Sequence, residues 1–283
     1  MNPKKLKKLK KQVQKHPASR AEPYITRMQR YRNRFAQIPE IQVLVNNVLL
    51  ADELLTKGRL PQDLPVLELP DNIQDILFQN INARFAPHDP KGDQLWNELS
   101  DALPKLDQDL RNFRDYLEDR YGMWAYISAP FAADLAQYID GKKTLEVMAG
   151  NGYISKGLRD HDQLVYATDS KDWTKENETG KHPVTEIERL SALDAWQKYG
   201  NEVDVVIMSW SPDGLPVDWE LLQAIRRSEH HVDFIVIGEM NGATDSKVFW
   251  DNLQLTGTDE SLELLNRHHK VFDLIQDHTF LVR

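Results

Sequence analysis

The stretch Leu145-Glu146-Val147-Met148-Ala149-Gly150-Asn151-Gly152-Tyr153-Ile154-Ser155 decides how the whole chain is read. An apolar run passes into a turn with two glycines one residue apart, then into a helical pattern. Glycine is needed where the backbone takes positive φ or where a ligand approaches too closely for a Cβ. The helix that follows points unpaired N–H groups into the turn. A generic strand-to-helix turn looks similar, so the surrounding acids have to discriminate.

Glu146 sits inside the strand end, where a carboxylate needs a polar partner. The next apolar run, 164–168, ends at Asp169, seventeen residues after Gly152, where a carboxylate can accept both hydroxyls of a ribose. The third run, 184–190, leads into Ser191-Ala192-Leu193-Asp194-Ala195, and Asp194 there suits an exocyclic adenine amine. Three acids at successive strand ends around one glycine turn fit a nucleoside that carries a cation. A phosphate site would want basic residues.

Further apolar runs at 203–209, 233–238 and 279–282 alternate with helical patterns near 153–159, 193–199, 218–227 and 246–253. This alternation predicts an α/β fold with a doubly wound, mostly parallel sheet over residues 122–283. Ligands on such sheets sit beyond the carboxyl ends of the strands, where the strand order switches. Upstream, residues 37–121 read as an all-helical accessory domain with helices at 41–56, 72–85 and 94–121. Pro104 is expected to split the last of these. No chemistry-bearing constellation stands out in this region.

Residues 1–36 form a basic arm. Its first 34 residues carry seven Lys and five Arg against Glu22, a net +11, while the whole chain is −9, so the rest sums to −20. Polyanion affinity, if any, belongs to the arm, with nucleic acid as a candidate partner and a solvated tail leading into a packed helix as the plainer reading. Tyr24, Met28, Tyr31 and Phe35 share one helical stripe. The 283 residues are 41% apolar and 28% charged and contain no cysteine. That excludes disulfide scaffolds, thiol nucleophiles and cysteine-held metals. The run 41–55 is too short and polar to span a bilayer, and the first twenty residues lack the apolar core of a secretory signal, so a cytoplasmic protein is expected. His230-His231 and His268-His269 lack metal-ligand spacing, and no metal site is expected.

Residues 122–283 resemble a class I S-adenosylmethionine-dependent methyltransferase. The run 146–152 is similar to the family's first motif, with Met148 in place of the first glycine and Gly150 and Gly152 matching the second and third. The resemblance implies a cofactor, S-adenosyl-L-methionine, bordered by Ala149, Gly150, Asn151 and Gly152, with Glu146 helping to hold its ammonium. It implies that Asp169 binds the ribose and that Asp194 and Ala195 read adenine. A side chain at Met148 is expected to point into the fold core. The run 124–130 looks like the helix start that covers the cofactor in one branch of the family.

The fourth strand opens into Ser209-Trp210-Ser211-Pro212-Asp213-Gly214, which in that family lines the methyl-acceptor side. Trp210 is a candidate flat wall, Ser209 a candidate acceptor of an N–H, and Asp213 a candidate proton acceptor. Core packing of Trp210 and a simple turn at 211–214 remain open. Two other classes stay in play. A nicotinamide-dependent dehydrogenase shares the Gly-x-Gly turn, but its third fingerprint position is Ser155 here and Glu146 would repel a pyrophosphate. A non-catalytic nucleotide-binding protein that recruits nucleic acid through the arm is the other.

Overall fold

The computed structural model describes residues 22–283. The lysine-rich pattern at 4–11 lies outside the described residues. Six helices precede the sheet: α1 (Tyr24–Arg34), α2 (Pro39–Thr56), α3 (Ile73–Asn82), α4 (Pro90–Arg111), α5 (Phe113–Tyr121) and α6 (Ala129–Ile139). The sheet region then runs β1 (Thr144–Val147), α7 (Tyr153–Asp160), β2 (Val165–Asp169), β3 (Glu188–Arg189), α8 (Ala192–Tyr199), β4 (Val205–Ser209) and α9 (Val217–Arg227). It closes with β5 (Asp233–Gly238), α10 (Lys247–Asn252), β6 (Leu255–Thr256), α11 (Asp259–Asn266) and β7 (His278–Val282).

The seven strands lie in the order β3-β2-β1-β4-β5-β7-β6, with β7 antiparallel to both neighbours and the rest parallel. This is the doubly wound, mostly parallel sheet that the alternating pattern predicts. The chain builds outward from β1 to β3, then returns to place β4 on the other side of β1. The switch in order therefore falls between β1 and β4, and Glu146 is in register with Ala167 of β2 and Ile207 of β4. The loops after β1, β2 and β4 consequently open at one edge.

Period-two alternation assigns the two faces. Val205, Ile207, Ile235 and Ile237 join one core with Ile154 and Leu158 of α7 and with the N-terminal helices. Leu145, Val147, Val206, Met208, Phe234 and Val236 join the other, under α8, α9 and α10. The first core is continuous from Met28 to Leu281, so residues 37–121 are packed onto the sheet. Arg114 of α5 also pairs with Asp273, at 2.5 Å, and Leu67 N donates to the Phe272 carbonyl. Residues 24–35 of the basic arm belong to the same layer. Met28 and Phe35 are fully buried, and Arg27 makes a two-pronged bond to Asp109, which also accepts from Tyr31. Arg30 and Arg34 face Glu22 and Glu98, so three of the arm's arginines already have carboxylate partners.

Several elements differ from expectation. Pro104 lies inside an unbroken α4, and the chain breaks instead at Asn112. Leu99, Ala102, Leu103 and Leu106 are buried on both sides of the proline, and their packing outweighs the lost hydrogen bond. The run 184–190 pairs only over Glu188–Arg189, because Val184 N is drawn away to the Asn151 carbonyl. Two elements unmarked in the periodicity, β6 and α11, complete the far edge. A capping box between Thr258 and Ser261 starts α11.

Candidate functional site

A cavity of about 520 Å³ opens at the β1/β4 switch, within the range of small-molecule sites. Glu146, Met148, Ala149, Gly150, Asn151 and Asp169 line one side, and Ser209, Trp210 and Ser211 the other. Among the described residues, no Lys or Arg is in its lining.

The glycine turn earns its residues. Gly150 and Gly152 take φ of 56° and 81°, which only glycine adopts without strain. Met148 also takes positive φ, 53°. Its side chain packs against the core under α8–α10 but still borders the cavity, rather than being withdrawn into the core as expected. Gly152 does not line the cavity; a Cβ there would lie 2.9 Å from Ile187 and Thr185, so this glycine lets the 185–187 segment close over the start of α7.

Glu146 is 2% exposed, and its Oε2 accepts from the Ser155 backbone N–H, at 2.9 Å, and from the Ser155 hydroxyl. Ser155 is the third residue of α7. The chain's own carboxylate thus fills the anion-binding position at this helix start. Burial, opposed in part by the Ser155 bonds, pushes Glu146 up to about 7. Asp169 accepts from Gly150 N at 2.9 Å and from Lys171 N at 2.6 Å, which ties the second strand end to the glycine turn. Burial raises its pKa against those two bonds. Each carboxylate oxygen keeps a further lone pair for a ligand hydroxyl.

Asn151 acts as a strut. Its amide donates to the carbonyls of Tyr121 and Glu178 and accepts from His182 N. Gly122, at φ 58°, makes room for it: a Cβ there would stand 2.6 Å from Asn151 Nδ2. The run 124–130 does cover the site, since Trp124, Ala125 and Ile127 line it and Trp124 Nε1 bonds the Thr179 hydroxyl.

The structure does not bring Asp194, Ala195 or Asp213 to the cavity. Asp194 is exposed and takes the Ser191 hydroxyl at 2.7 Å, while Ser191 caps α8. Ala195 is fully buried in the core, one helical turn too far from the strand end. Ser191 and Ala192 line the cavity in their place. Asp213 is an exposed turn residue. Trp210 both packs on the core and lines the cavity. Its Nε1 donates to Asp277 at 3.1 Å, and the Arg114 guanidinium lies 4.8 Å from its ring. Burial favours protonated Asp277, but His269, Arg114 and the indole N–H outweigh it and hold its pKa below the usual range.

Glu118 of α5 and Ser211, which the sequence does not mark as site residues, line the cavity too, as does Trp173, whose place near the candidate cofactor acids suits either adenine stacking or core packing. Nothing local marks Glu118, which sits in a charged helix. Among the described residues, no group of three or more metal-ligating side chains could hold an ion, and no helix is long and apolar enough to cross a membrane.

No protein-family model and no curated protein matches the chain. Solved structures similar to it include a protein in the NADB-Rossmann superfamily from Streptococcus agalactiae, 13% identical, with a TM-score of 0.31. That match covers 54% of this chain and 66% of the other. A mutant of MtNAS in complex with S-adenosylmethionine is 10% identical over 93% of this chain and 98% of that one, with a TM-score of 0.35. The functional reading rests on the sheet order and the cavity, not on these likenesses.

Proposed function

We propose that the protein is an S-adenosyl-L-methionine-dependent methyltransferase. One observation carries the reading: the cavity gathers Glu146, Asp169 and the glycine turn, and among the described residues its lining holds no Lys or Arg. A dinucleotide's pyrophosphate would need the N–H groups at the start of α7, and Glu146 already takes the one at Ser155. The same carboxylate favours a ligand with positive charge and no phosphate.

In this reading Asp169 holds the ribose hydroxyls while Gly150 N and Lys171 N keep its carboxylate oriented. Ser191 and Ala192 border the adenine. Glu146 uses Oε1, which makes no hydrogen bond among the described residues, to attract the ammonium. When bound, the cofactor supplies a methyl carbon made electrophilic by its sulfonium. Trp124, Trp173 and Trp210 narrow the cavity and keep water away, and Ser209 and Trp210 position the acceptor near that carbon.

Incubation with methyl-labelled cofactor and fractionated cell extract tests this. Label should appear in one fraction with the wild-type protein and be lost with Asp169→Ala. Equal labelling by both proteins would overturn the assignment of Asp169.

A further inference from the structure

We propose that the methyl acceptor is a primary alkylamine whose chain carries an aromatic or other flat group, and that Glu118 receives its proton. This inference rests on the methyltransferase reading of the same cavity. The acceptor half is defined by Trp210 and Ser211 after β4, Ile275 before β7, and Trp124 and Glu118 from the helical layer. Two indoles, Trp124 and Trp210, stand 6.2 Å apart and tilted by 44°, and offer apolar walls with negative faces.

Two polar groups in this half are unclaimed. Ser211 is 1% exposed, yet its hydroxyl has no hydrogen-bond partner among the described residues. A buried hydroxyl left unpaired costs stability, and a ligand N–H would satisfy it. Glu118 is half-buried and makes no side-chain hydrogen bond among the described residues. Its neighbours are Arg114 one turn earlier on α5, Asp115 and Asp119 on the same helix, and Asp273 on the segment leading to β7. Arg114 is committed elsewhere, to Asp273 and to the Trp124 carbonyl. With no Lys or Arg among the described residues of the lining, an ammonium is the charge this half can neutralise, and the charged groups that a carboxylate or phosphate acceptor would meet there are acids.

The chemistry fits the proton inventory. An alkylamine is protonated near neutral pH, and a protonated nitrogen has no lone pair with which to attack. Glu118, raised by burial to about 7, binds the ammonium and takes one proton, leaving a neutral amine. The nitrogen lone pair then forms the new C–N bond. The S–CH3 bond breaks with its electron pair left on sulfur, which becomes a neutral thioether. The product leaves as a methylammonium, and the Glu118 proton passes to solvent.

Phenethylamine, 3-phenylpropanol and phenylacetate serve as cationic, neutral and anionic probes, titrated by calorimetry into protein saturated with S-adenosylhomocysteine. The amine should bind about tenfold more tightly than the alcohol, and phenylacetate should not bind. Glu118→Gln should lose about tenfold in amine affinity, and Ser211→Ala less, with both retaining S-adenosylhomocysteine affinity and thermal stability. Amine and alcohol binding equally would overturn the proposal. So would a Glu118→Gln protein that binds the amine normally but loses S-adenosylhomocysteine, because Glu118 would then belong to the cofactor half. If the wild type bound no S-adenosylhomocysteine, the cofactor reading would fail alone, and the amine titration without it would still decide Glu118.

Discussion

Replacing Glu146 by Gln separates what this carboxylate costs the fold from what it does for a ligand. The side chain is almost wholly buried, and burial lifts its pKa from 4.5 to about 7. An acid whose pKa rises on folding binds more protons folded than unfolded between those two values. Its contribution to stability therefore falls as pH climbs from about 4.5 to about 7 and stays lost above. At about 1.4 kcal/mol per pH unit, ionised Glu146 costs the native state on the order of 3 kcal/mol at pH 8. Gln keeps the oxygen that accepts from Ser155 N and removes the charge. Glu146→Gln should be stabilised by up to about 3 kcal/mol at pH 8.5 and scarcely changed at pH 4.5. In a chain of this size that amounts to a melting shift of several degrees, about 2 °C per kcal/mol. Glu118 and Asp245, also raised to about 7 by burial, titrate alike in both proteins and cancel from the difference. Urea unfolding of the pair at both pH values reads the effect directly. The same variant should bind S-adenosylhomocysteine more weakly, by about tenfold, because an ammonium loses its counter-charge. A stability difference independent of pH would refute the buried, unpaired charge and the role built on it.

Asp169→Ala should weaken S-adenosylhomocysteine binding at least about tenfold and also lower stability by about 1–3 kcal/mol, since Gly150 N and Lys171 N lose their acceptor. Calorimetry and urea unfolding measure the two effects, with Asp169→Asn as the milder control. Gly122→Ala should cost about 2 kcal/mol or more, because positive φ and the Asn151 amide both reject a Cβ, and its circular-dichroism melt should fall accordingly. Asp194→Ala should reduce stability by less than about 1 kcal/mol through the start of α8 and leave S-adenosylhomocysteine affinity unchanged. A loss of affinity there would restore Asp194 to the adenine site.

The sheet was legible because its signals are local. Short continuous apolar runs such as 203–209 and 233–238, alternating with helical patterns, and the glycines after β1 give strand, turn and helix without tertiary information. Glu146 and Asp169 followed, because a carboxylate at a strand end has a place fixed by register. The third strand end differs by one turn: Ser191-x-x-Asp194 is a helix cap, so the residues facing the cavity are the cap and the first helical residue, Ser191 and Ala192. Pro104 was overvalued as a breaker because propensity knows nothing of the leucines that hold α4 against the core. Glu118 and Gly122 were illegible for another reason. They come from the helical layer, and only its packing on the sheet brings them over the glycine turn. Gly122 left one trace, a glycine at the end of a helical pattern, where a left-handed cap is common.

Side-by-side calorimetric titration with S-adenosylhomocysteine and NAD tests the central claim most directly. The account predicts one S-adenosylhomocysteine per chain, bound more weakly by Asp169→Ala, and no heat of binding with NAD. NAD binding alone, unaffected by Asp169, would contradict it.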